Sequence, residues 1–143
     1  MRIRIALLTA AAVLSCVPAF AAETACPDLS GTFLCPASER YKQAAMTVEV
    51  RNDLPAKAYT FVYDGKRSVK LSADGARKHD KKTKKWSRDF CRGDALVTER
   101  FASADAAKAA AWSEQRINKA GDYEVTATGG KVALVCRRVK PSP

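Results

Sequence analysis

Apolar and polar residues alternate with a period of two along most of this chain, the pattern of strands that are buried on one face and wet on the other. Met46, Val48 and Val50 alternate with Thr47, Glu49 and Arg51. Tyr59, Phe61 and Tyr63 alternate with Thr60 and Val62, and Val69 and Leu71 mark a return strand. Turn residues punctuate these runs: Asn52-Asp53-Leu54-Pro55, Asp64-Gly65 and Ala73-Asp74-Gly75. Pro55 has no amide to give a central strand, and Asp-Gly accepts the positive φ of a tight hairpin. Trp86 to Cys91 and Ala95 to Phe101 form another hairpin across Arg92-Gly93-Asp94, a triplet that matches an adhesion motif but is ordinary turn chemistry. Tyr123 to Thr128 and Lys131 to Val139 pair across Gly129-Gly130. The predicted fold class is all-β, mainly antiparallel: an eight- or nine-stranded meander forming a small barrel or half-barrel, which hides sheet edges.

Two stretches depart from this pattern. Ser103 to Ala111 is alanine-rich, with Ser103 placed as an N-cap and Asp105 in the first turn, and it predicts one short helix near 103–111. Trp112 to Asn118 reads as a strand returning through Lys119-Ala120-Gly121-Asp122; the alternative is a continuation of the helix toward Gly121.

The N-terminus carries a different signal. Arg2 and Arg4 precede an apolar run from Ile5 to Val13, and Ala19-Phe20-Ala21 is a small-x-small cleavage site. Residues 1–21 therefore read as a signal peptide and 22–143 as a single exported domain, periplasmic or secreted. The run falls short of the about 20 residues that a spanning helix needs. A second reading takes Val13-Leu14-Ser15-Cys16 as a lipobox, with the protein anchored through Cys16. The whole chain of 143 residues has a formal net charge of +10, and the leader removes two arginines and no acid.

Either processing leaves Cys26, Cys35, Cys91 and Cys136, an even set that in an exported domain implies two disulfides. If Ser30 to Cys35 is extended it spans about 16 Å at ~3.3 Å per residue, which carries Cys35 too far from Cys26 for a bridge. Cys26 is left with Cys136 or Cys91. The favoured map is Cys26–Cys136 with Cys35–Cys91, because both bonds join distant strands.

Catalytic and metal chemistry find little support. The chain has one histidine, His79, set among lysines with no orienting partner evident. There is no Gly-x-Ser-x-Gly, no phosphate-binding glycine loop and no Cys-x-x-Cys spacing. The expectation is a protein that is not an enzyme, with no cofactor and no metal.

The sharpest chemical feature runs from Arg77 to Arg88, with seven Lys or Arg in twelve residues. Arg77, Lys78, Lys81, Lys82, Lys84 and Lys85 concentrate positive charge on a hairpin arm, and Trp86 offers a face for stacking on a sugar or base. Lys66, Arg67 and Lys70 on the preceding hairpin extend the patch. These residues form the expected anion-binding site, for lipopolysaccharide, acidic polysaccharide or nucleic acid outside the cytoplasm. The aromatics Phe33, Tyr59, Phe61, Tyr63, Trp86, Phe90, Phe101, Trp112 and Tyr123 are first of all core, and secondly the lining of a small apolar ligand's pocket.

Cys26-Pro-Asp-Leu-Ser-Gly-Thr-Phe33 resembles the opening strand of the lipocalin, avidin and fatty-acid-binding group, which carries a Gly-x-aromatic element. That group prefers Trp where this chain has Phe33, and a basic residue near its last strand packs on the aromatic. The resemblance gives that part to Arg137 or Arg138. It implies an up-and-down barrel holding an apolar ligand in its mouth. The chain also resembles uncharacterised exported bacterial β proteins with two disulfides. Three functions therefore stand as expectations: an anion-binding module, a lipocalin-like carrier of a small apolar ligand, and a structural or protein-binding factor such as an inhibitor.

Overall fold

The computed structural model describes residues 25–39 and 42–139. The proposed leader, Cys16 and the Pro141-Ser142-Pro143 tail lie outside the described residues. Ten strands form one antiparallel sheet: β1 (Gly31–Cys35), β2 (Met46–Asp53), β3 (Ala58–Tyr63), β4 (Arg67–Ser72), β5 (Lys78–Asp80), β6 (Lys85–Arg92), β7 (Ala95–Phe101), β8 (Ala111–Ile117), β9 (Tyr123–Ala127) and β10 (Lys131–Arg138). Their order across the sheet is β4-β3-β2-β1-β10-β9-β8-β7-β6-β5. Every strand neighbours its successor except β4 and β5, and the first strand pairs with the last. The sheet curls into a half-barrel whose seam lies between β4 and β5. One antiparallel bridge, Asp74 with Phe90, ties the seam at one end, and Gly75 donates its amide to the Asp89 carbonyl at 2.9 Å.

This corrects the strand count from eight or nine to ten. The additional strand is β5, Lys78-His79-Asp80, which has no apolar alternation and is exposed throughout. It exists because β6 offers a pairing edge, with His79 opposite Trp86.

The helix expected near 103–111 is absent; those residues form bends and turns up to the start of β8. An isolated helix this short is marginal in water, and an alanine face gives it little to bury. The segment is held instead by Arg77, whose guanidinium donates to the carbonyls of Ala104 and Ala106 (2.6 Å to the latter) and lies 3.7 Å from the Phe101 ring centre. Ser103 bonds the Asp105 carboxylate, not a helix N-terminus. Trp112 to Ile117 is strand, as its own pattern predicts.

The disulfides are Cys26–Cys91 and Cys35–Cys136, which corrects the favoured map. The reason is register. β1 pairs with β10 so that Phe33 faces Arg138 and Leu34 faces Arg137, which sets Cys35 directly across from Cys136 at a Cα–Cα distance of 4.1 Å. Cys26, on the segment ahead of β1, is free to reach β6. That segment fills one end of the half-barrel. Leu29 is fully buried with its amide bonded to the Asn52 side chain, and the Tyr59 hydroxyl donates to the Pro27 carbonyl at 2.7 Å. Phe33, Val48, Val50, Phe61, Leu96 and Tyr123 complete the core around it.

Arg138 packs on Phe33, its guanidinium 4.7 Å from the ring centre. It also donates to the carbonyls of Gly121 and Ser30. A Cβ at Gly31 would run into this guanidinium. The general form, an antiparallel half-barrel, is consistent with a calycin-like barrel, and of the two arginines it is Arg138 that packs on Phe33.

Candidate functional site

In an up-and-down meander, alternate connections share an end. The connections β1–β2, β3–β4, β5–β6, β7–β8 and β9–β10 therefore lie together, opposite the end plugged by Leu29. Among the described residues they carry six lysines (Lys42, Lys66, Lys81, Lys82, Lys84 and Lys108) against three carboxylates (Glu39, Asp64 and Asp105). The other connections carry three cations and three carboxylates, and the guanidinium of one of those cations, Arg77, reaches the β7–β8 connection. The charge asymmetry of the sequence becomes an asymmetry between ends.

The lysine turn at residues 81–84 is built by Asp80. Its carboxylate accepts the amides of Lys82 (2.8 Å) and Thr83 (3.2 Å) and the Thr83 hydroxyl (2.8 Å). These bonds, the Thr83 hydroxyl's first, hold the Asp80 carboxyl below its ordinary pKa. The carboxylate is directed at the turn's own backbone and hydroxyl. Lys81, Lys82, Lys84 and Lys85 are exposed, and none forms an ion pair among the described residues.

The other expected site residues are differently placed. Arg77 is half-buried and bonded to the 102–110 segment as described above. Lys78 reaches Asp74 at 3.1 Å and the Ser72 carbonyl at 3.0 Å. Trp86 is half-buried, with one neighbour in His79, ring centres 4.8 Å apart. On the other lip of the seam Lys66 and Lys70 are exposed, and Arg67 lies over Tyr63 at 4.7 Å.

A concavity of about 610 Å³ occupies the half-barrel at the lysine end. Tyr63, Trp112, Tyr123, Val125 and Leu134 supply its apolar lining, and Gln43, Thr98, Arg100, Ser113 and Gln115 its polar one. The Tyr123 hydroxyl donates to Gln115 at 2.6 Å; burial pushes its pKa well above the ordinary tyrosine value, so it stays neutral. Beside the concavity, Asp89 is 4 % exposed and accepts the Thr98 hydroxyl at 2.7 Å. Burial raises its carboxyl pKa.

The sequence reading missed Gln43, Asp89, Thr98 and Arg100. A signal was available for two of them: Thr98 and Arg100 share the inward face of β7 with Leu96, so the alternation breaks where the concavity begins. Gln43 carried no periodic signal. Among the described residues no cluster of three His, Cys, Asp or Glu is placed to hold a metal, and no helix is long and apolar enough to cross a membrane. No protein-family model matches the chain, and no curated protein matches it either.

Proposed function

We propose that this is an exported, non-enzymatic binding protein whose lysine turn contacts anionic material of the cell envelope. The observation that supports this most is that Lys81, Lys82 and Lys84, on a turn whose shape Asp80 fixes, and Lys85, at the start of β6, stand exposed and without ion-pair partners among the described residues. A surface lysine merely kept for solubility needs no ordered turn. Four ammonium groups on one short turn and the strand residue that follows it present a field that phosphate or sulfate groups on a polymer or lipid head would meet together. The two disulfides fit an oxidising compartment.

The test is to replace Lys81, Lys82, Lys84 and Lys85 together by Gln and measure binding to heparin and to lipid A-containing vesicles. Binding should be lost while the circular dichroism spectrum and melting temperature stay as they were. Undiminished binding by this variant sinks the reading.

A second reading is favoured by a separate observation, the concavity of about 610 Å³, which falls in the size range of small-molecule sites. On that reading the protein carries a small, largely apolar ligand. Native mass spectrometry of protein recovered without denaturation separates the two: an extra, defined small-molecule mass supports the carrier, and the bare oxidised chain supports surface binding.

A further inference from the structure

Hydrogen-bonding groups that line a concavity either satisfy one another or await a guest. In this one three hydroxyls are satisfied. The Thr98 hydroxyl donates to Asp89, the Thr128 hydroxyl to the Trp112 carbonyl, and the Tyr123 hydroxyl to Gln115. Two further donors differ from the rest, one by burial and one by charge. Among the described residues the buried Gln43 Nε2 has no hydrogen-bond partner, and Arg100 forms no ion pair. A buried amide left without an acceptor costs about 1–3 kcal/mol, so its retention facing a cavity marks a place for an acceptor.

The lining also has a sign. It contains one arginine and no aspartate or glutamate. Its apolar part is aromatic and branched, with Tyr63, Trp112, Tyr123 and Leu134 on the walls. The concavity lies toward the end whose connections carry six lysines and three carboxylates among the described residues. An apolar body with a single acidic head matches each of these features; a neutral apolar molecule leaves both donors unused, and a cation finds no carboxylate on the lining to pair with.

We propose that the concavity binds a small organic monoanion, a carboxylate or sulfonate on an aryl or alkyl body, with Arg100 taking the acidic head and Gln43 supplying a second donor. This rests on the carrier reading and sharpens it by fixing the ligand's charge. The lysine turn then lies outside the site and raises the rate of encounter without touching the bound head.

Anilinonaphthalene sulfonate and its uncharged parent, phenyl-naphthylamine, share one aromatic body and differ in the anionic head, so fluorescence titration with the two isolates the head. The expectation is saturable binding of the sulfonate at one site per chain. Arg100→Leu should weaken it by about tenfold or more, the loss of a charge-assisted hydrogen bond. The same change should leave the neutral probe unaffected. Arg100→Lys keeps the charge and should restore part of the affinity, and Gln43→Leu should weaken the sulfonate alone. Arg100 sits at an exposed position of a strand, so folding of each variant is readily checked by circular dichroism.

Equal affinity for both probes, indifferent to Arg100, overturns this inference and leaves the carrier reading standing. Sulfonate binding that disappears with the four turn lysines and survives Arg100→Leu also overturns it, by placing the head at the rim. No saturable binding of either probe removes both the inference and the carrier reading.

Discussion

The guanidinium of Arg138 lies 4.7 Å from the centre of the Phe33 ring, so the last strand closes over the first through a cation on an aromatic face. Gly31 makes room for it: its φ of 149° and the nearness of the guanidinium leave no space for a Cβ. Gly31→Ala should therefore destabilise the protein by about 1–3 kcal/mol, through backbone strain and displacement of Arg138. Arg138→Ala should cost less at Phe33, about 0.5–2 kcal/mol for the cation–π contact, plus the bonds to Ser30 and Gly121. Urea denaturation of both variants checks the order.

The disulfide map follows from the same pair of strands. Peptide mapping of the unreduced protein should yield Cys26 joined to Cys91 and Cys35 joined to Cys136. Replacing either pair by serine should cost about 2–5 kcal/mol, since each bond closes a long loop. Recovery of Cys26 joined to Cys136 would contradict the β1–β10 register.

Arg77 replaces the missing helix as the organiser of the 102–110 segment. Arg77→Ala removes two hydrogen bonds to carbonyls and the cover on Phe101, a loss of roughly 1–3 kcal/mol. Trypsin should then cut after Lys108 faster than in the unaltered protein. An unchanged cleavage rate would mean that Arg77 does not hold the segment.

Asp89 gives the account a pH dependence. Its folded pKa is raised by burial above the ordinary 3.8, so the folded protein holds this proton to higher pH than the unfolded chain. Stability is therefore lost as pH rises from the unfolded value through the raised folded value. The Thr98 hydroxyl can bond a neutral amide as well as a carboxylate. Asp89→Asn should accordingly raise the melting temperature at pH near 7 and lose that advantage as the pH falls below the unfolded value. A lower melting temperature at neutral pH would show that the charge is stabilising.

Period-two alternation in the sequence made nearly all the strands legible, and the burial follows it most clearly in β1, β2 and β3. β5 escaped because Lys78-His79-Asp80 has no buried face at all; its pairing with β6 is a tertiary fact. The helix expectation failed for a related reason. Alanine content speaks for helix only where nothing stronger competes, and Arg77 competes from twenty-seven residues away. The exclusion of Cys26–Cys35 followed from strand length, but choosing between the two remaining maps needed the β1–β10 register. The lysine turn was visible as a charge run, and that Arg77 and Lys78 are engaged elsewhere was not. The concavity depends on curvature, which the sequence shows only as polar Thr98 and Arg100 on an inward face.

The measurement that bears most directly on the lysine turn is the salt dependence of heparin binding by the unaltered protein and by the variant with Lys81, Lys82, Lys84 and Lys85 changed to Gln. If the four ammonium groups contact anionic groups, the variant's plot of log affinity against log salt should be shallower by about 3, at roughly 0.7–0.9 per contact. Parallel plots of equal slope would place the contacts elsewhere and contradict the account.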